Sequence, residues 1–88
     1  MSSARGAFSS SGARVLSSLA VGTRGVIAEV SRGGERVDRL LSLGVTPGAA
    51  VIVLQTFPGI VFLCDQTELA VERGVADAIL VRPSEVAV

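Results

Sequence analysis

The sequence predicts a mainly β protein: a small five-stranded barrel with one short α-helix between the first two strands and a helical turn before the last. Three observations predict it. Short apolar runs recur along the chain, each bounded by Gly, Pro, Ser or Asp turn signals. Only one stretch, Glu35–Leu43, spaces its apolar residues for a helix. The length of 88 residues suits a single domain. A domain this small buries only about 60% of its unfolded surface, so the 49% hydrophobic composition, mostly Val, Leu, Ile and Ala, must furnish the core.

The elements follow in order. Residues 1–14 are rich in Ser, Ala, Arg and Gly and lack acids. They predict a disordered tail, although the composition is also that of an organellar transit peptide. The ordered domain is expected over 15–83, with a short tail over 84–88. Val15, Leu16 and Leu19 anchor its start, and a turn through Gly22 and Gly25 leads into the first strand, Val26–Val30. Strict alternation places Val26, Ala28 and Val30 on one face and Ile27 and Glu29 on the other. Ser31–Gly34 is a loop. In the helix Glu35–Leu43, Val37, Leu40 and Leu41 fall at i, i+3 and i+4 and share one face. Glu35 near the N-terminus suits the helix dipole.

Gly44 stands where a helix end favours a left-handed residue. Thr46-Pro47-Gly48 then fits a turn with proline first and glycine second at its centre. Ala49–Gln55 is the second strand. Val51 and Val53 lie on one face, Ile52 and Leu54 on the other, as expected of a strand that a helix also covers. Phe57-Pro58-Gly59 turns the chain into Ile60–Cys64, and Asp65-Gln66 reverses it into Thr67–Arg73. There Thr67, Leu69 and Val71 point inward and Glu68, Ala70 and Glu72 outward. Gly74–Ala78 is the helical turn, Ile79–Arg82 the closing strand, and Pro83 its end. This order suits a small, highly bent barrel of the Src-homology-3-like kind.

Composition excludes several classes of function. Net charge is zero, with eight arginines against eight acids. That is no footprint for nucleic acid or an anionic membrane. Phe8, Phe57 and Phe62 are the only aromatics, which argues against base-stacking readers. No run of about 18 apolar residues could span a bilayer, so direct membrane insertion is not expected. Cys64 is the lone cysteine, so no intrachain disulfide forms. The absence of lysine and of G-x-x-x-x-G-K-[ST] removes a phosphate-binding loop.

An enzyme is not expected, and no catalytic residue is assigned. Histidine, the commonest general base near neutral pH, is absent. Cys64 has Asp65 beside it, and a carboxylate raises a thiol pKa, so Cys64 is read as a small buried hydrophobe. No cofactor or metal ligand is assigned either. Transition-metal sites want several Cys or His side chains, and only Cys64, Asp65 and Glu68 could approach one another around the last hairpin. Surfaces remain. Leu43 and Val45 flank Gly44, and an apolar residue beside a rigid turn makes a docking point. The candidate partner-binding set is Leu41, Leu43, Gly44, Val45, Thr46, Pro47 and Gly48, with Phe57 at a hairpin tip as a second contact. Exposed strand edges could also take a partner strand.

The string Arg39-Leu40-Leu41-Ser42-Leu43-Gly44-Val45-Thr46-Pro47-Gly48 resembles the FeoA family, the small cytosolic component of bacterial ferrous-iron transport. Leu16-Ser17-Ser18-Leu19-Ala20-Val21-Gly22-Thr23-Arg24-Gly25-Val26-Ile27 is similar to that family's opening, and Leu69-Ala70-Val71-Glu72-Arg73 with Ala76–Val81 to its close. The resemblance covers residues 15–83. It implies the same Src-homology-3-like barrel and a non-enzymatic accessory of ferrous-iron uptake. That accessory would dock on, or help assemble, the GTP-binding permease FeoB, in the cytoplasm or peripherally at the inner membrane, and a weak homo-oligomer is compatible with it. Family-level transition-metal binding is implied too, without donors here to match it. The alternative is a stand-alone or truncated barrel of an iron-dependent transcriptional repressor, involved in metal-responsive regulation; the DNA-binding domain that precedes it there is not found in these residues. Asp65-Gln66 replaces an Arg-Gly pair common in the family, Val75 replaces a frequent Glu, and the turn after Phe57 is short.

Overall fold

The computed structural model describes residues 12–84. The tails expected at 1–14 and 84–88 therefore fall mostly outside the described residues. Six strands form one antiparallel sheet: β1 (Arg14–Val15), β2 (Arg24–Val30), β3 (Ala50–Gln55), β4 (Ile60–Cys64), β5 (Thr67–Val71) and β6 (Ile79–Pro83). Their order across the sheet is β1-β6-β2-β3-β4-β5. A 3-10 turn, Leu16–Ser18, follows β1; α1 spans Glu35–Ser42 and α2 spans Arg73–Ala76. The sequence reading counts five strands; the sixth is the two-residue β1, whose Arg14 and Val15 pair with Val81 and Leu80. Two residues are too short to show a periodicity.

The sheet curls around a single core. Leu16, Ile27, Val45, Ile60, Phe62, Ile79 and Val81 are all fully or almost fully buried. No polar or charged side chain is buried among the described residues. Leu40 of α1 and Ala76 of α2 join this cluster. Val37, at the expected spacing, is buried as well, while Leu41 is half-buried.

Two irregularities alter the expected faces. In β2, Ile27 is buried and Val26 is exposed, on opposite faces as the alternation expects, but Val30 packs on the core with Ile27 and does not share the Val26 face. The register against β6 shifts between Ile27 and Glu29. This bulge adds one residue, so Ile27 and Val30 both turn toward the core. In β3, Val51 and Val53 are buried as expected, but Leu54 is exposed and Ile52 is only half-buried. A second bulge lies between Val53 and Gln55. The helix does not cover this outer face: Leu40 packs into the core, and α1 lies against β5 and α2. In β5, Leu69 and Val71 pack on the core, whereas Thr67 beside the hairpin is exposed.

Gly25 is a strand residue, not a turn residue, and the close approach of β6 explains it. A Cβ there would lie 2.5 Å from the Arg82 carbonyl oxygen and 2.9 Å from the Pro83 Cα. Backbone atoms cannot yield cheaply, so only glycine fits.

Candidate functional site

The end of α1 is built by its own sequence. Val45 N–H donates to the Leu40 carbonyl at 3.0 Å, and Gly44 N–H to the Leu41 carbonyl at 3.1 Å. Gly44 has φ +105°. This is a Schellman motif, with the 6→1 and 5→2 bonds and a left-handed glycine. Its hydrophobic contact joins Leu40 and Val45 within the core. The geometry decides which apolar neighbour faces out: Leu43 is 53% exposed and Val45 is 0% exposed. Val45, expected in the partner-binding set, is thus an interior residue, because the motif's packing contact consumes it.

The following turn is equally fixed. Ala49 N–H donates to the Thr46 carbonyl at 3.0 Å, and Gly48 has φ +98°. A left-handed second central residue after Pro47 defines a type II turn. Gly48 N–H donates to the Ile27 carbonyl, and Ile27 N–H to the Ala49 carbonyl, which ties the turn to β2. Leu41 and Thr46 are half-buried; Pro47, Gly48, Gly44 and Leu43 are exposed. Helix end and turn form one rigid knuckle with Leu43 as its large apolar projection.

Phe57 does not belong to that knuckle. Gly44 lies beside Cys64, at the C-terminal end of β4, where the Cys64 thiol meets the Gly44 carbonyl at 3.7 Å. Phe57 precedes the N-terminal end of the same strand, so about 15 Å of strand separates the two. Phe57 is 79% exposed and stands at the other end of the sheet. Exposed Val21 and Leu54, which the sequence reading does not single out, lie at that end as well. Gly22 N–H donates to the Val53 carbonyl at 2.8 Å and Val53 N–H to the Thr23 carbonyl at 2.9 Å, which brings the Val21 loop beside the end of β3. Arg73 braces this region, donating to the Thr56 carbonyl and, at 3.4 Å, to the Ser17 carbonyl. Val21 was legible only as one apolar residue before a glycine, and Leu54 is turned out where a bulge breaks the alternation.

An open groove of about 420 Å³ runs between α1 and the β5–α2 segment. Arg36 and Glu72 form an exposed ion pair across it, and such pairs contribute little to stability. Glu35, Arg39, Leu40, Ala70, Val71 and Val75 complete the walls. Beside it lies the edge of β5 that β4 does not use.

The hairpin residues diverge. Cys64 is buried, and burial first, then the Asp65 carboxylate, push its thiol pKa up. Asp65 Oδ1 accepts from Ala50 N–H at 3.2 Å. Glu68 stands opposite Leu63 on the outer face. Among the described residues no three Cys, His, Asp or Glu side chains gather as metal donors. These residues do not fit a transition-metal site. No described helix is long and apolar enough to cross a membrane.

Residues 14–83 match the FeoA domain family. The chain belongs to the FeoA family. Solved structures agree. A FeoA described as an iron uptake regulatory protein is 28% identical, with TM-score 0.73, over 82% of this chain and 99% of that one. FeoA of Chlorobium tepidum is 30% identical, with TM-score 0.73, over 80% of this chain and 70% of that one. A manganese-dependent transcriptional repressor is 24% identical, with TM-score 0.74, over 82% of this chain and 42% of that one, and so shares the fold alone. The fold is the Src-homology-3-like one that the sequence predicts. Among curated proteins none matches. FeoA membership makes the chain a small accessory domain of ferrous-iron transport.

Proposed function

We propose that this FeoA-family protein is a non-enzymatic, cytoplasmic accessory of ferrous-iron uptake that docks on, or helps assemble, the FeoB permease, reaching the inner membrane only through that partner. The observation that supports it is the knuckle. The decapeptide most typical of the family, Arg39–Gly48, folds into a fixed cap and turn that projects Leu43 into solvent. A preorganised apolar projection loses little entropy on docking and suits a binding anchor. Leu41, Gly44, Thr46, Pro47 and Gly48 shape the contact, and Val45 holds it from within. Phe57, with Val21 and Leu54, offers a second contact at the opposite end, which a large partner could reach simultaneously.

A repressor-type barrel is the second reading, and the likeness to the manganese-dependent repressor favours it at the level of fold only. Ferrous-iron uptake in cells lacking this chain tests the first reading. Complementation by the wild type and failure by Leu43→Asp, at equal protein level, support docking through the knuckle. Equal complementation by both would overturn it.

A further inference from the structure

The outer face of the sheet carries a cross-strand row whose two ends bear opposite charge. Arg24 on β2 stands opposite Ile52 on β3, Ile52 opposite Leu63 on β4, and Leu63 opposite Glu68 on β5. The row therefore reads cation, aliphatic, aliphatic, carboxylate across four adjacent strands. Arg24 and Glu68 are exposed, and neither has an ion-pair partner among the described residues. The next row repeats the polarity: Arg82 stands opposite Val26 and Val26 opposite Ala50, while Asp65, whose N–H donates to the Ala50 carbonyl, ends it on the acidic side. Val26 and Leu54 are exposed on β2 and β3.

We propose that this face is a self-complementary surface and that its occupant is a second copy of the chain. A two-fold axis parallel to the strands, passing between β3 and β4, exchanges β2 with β5 and β3 with β4. Each Arg24 then faces the partner's Glu68, and each Ile52 faces the partner's Leu63. An isologous interface requires this property, in which residue i meets j and j meets i. One row thereby makes two charge pairs around a central aliphatic contact. The sheet curls around its core, so the outer face is convex: close contact is confined to Ile52 and Leu63 at the axis, and the long Arg24 and Glu68 side chains reach across at the ends of the row. The dimer is accordingly weak and dependent on concentration and salt.

Sedimentation equilibrium of the full 88-residue chain over a wide concentration range tests the proposal. The wild type should dimerise reversibly. Arg24→Glu and Glu68→Arg each place like charges together twice, and each should weaken the dimer by at least about tenfold. An equimolar mixture of the two single variants restores both pairs and should recover association, which a general loss of folding could not do. A wild type that stays monomeric throughout would overturn the proposal. So would a mixture no better associated than its components.

Discussion

At Gly25 a single hydrogen in place of a Cβ lets β2 approach β6. Gly25→Ala drives a methyl into the Arg82 carbonyl and the Pro83 Cα, and should cost about 1–3 kcal/mol in a thermal or urea melt. Gly74→Ala provides the contrast. Nothing lies within 4 Å of its added methyl and its backbone is helical, so stability should hold or rise by up to about 1 kcal/mol. Equal destabilisation by both would refute the close-approach explanation.

Cys64 makes a pH-dependent prediction. Its folded pKa is raised above the unfolded value, so above the unfolded pKa the unfolded state releases a proton that the native state retains. Stability is therefore full below the unfolded pKa and declines as pH rises from it toward the folded pKa. Cys64→Ser or Cys64→Ala should flatten that alkaline decline. Native-state alkylation of Cys64 should also be much slower than alkylation in denaturant.

Among the elements, α1 and its stop were the most legible. Apolar spacing, Gly44 and Thr46-Pro47-Gly48 act within a few residues, so local chemistry alone writes them. The outer faces of β2 and β3 were less so. Period-two reasoning assumes an unbroken ladder, and the shifts at Ile27/Glu29 and Val53/Gln55 arise from pairing with distant strands. The same reason hid β1, which exists only through its pairing with β6. Leu40 tests the helix placement. It is 7% exposed within the core, and Leu40→Asp adds a buried charge to a cavity, a loss beyond about 3 kcal/mol. A domain of this size holds only about 5–10 kcal/mol in total, so the cooperative melt should disappear or fall steeply. An unchanged melt would contradict the contact between α1 and the core.

For the molecule as a whole, the sequence located the knuckle but merged two surfaces that the fold separates. Leu43 and Phe57 are both exposed, and only the direction of β4 shows that they lie at opposite ends. Val45 was indistinguishable from Leu43 by hydropathy; the 6→1 hydrogen bond at the helix end sends one inward and the other outward. The groove beside β5 had no sequence signal, because α1, β5 and α2 meet there from separate parts of the chain. With Leu43 and Phe57 on separate surfaces, a partner that binds at the knuckle alone should tolerate Phe57→Ala and reject Leu43→Asp. One that spans both ends should lose affinity in each variant, and more in the pair.

The most direct test is a binding titration of the full chain against the cytosolic GTPase domain of the FeoB permease from the same organism, with and without a GTP analogue. Saturable binding that Leu43→Asp weakens by about tenfold or more, with the variant's melt unchanged, is the predicted result. Absence of binding in both nucleotide states, or equal binding by wild type and Leu43→Asp, would contradict docking through the knuckle.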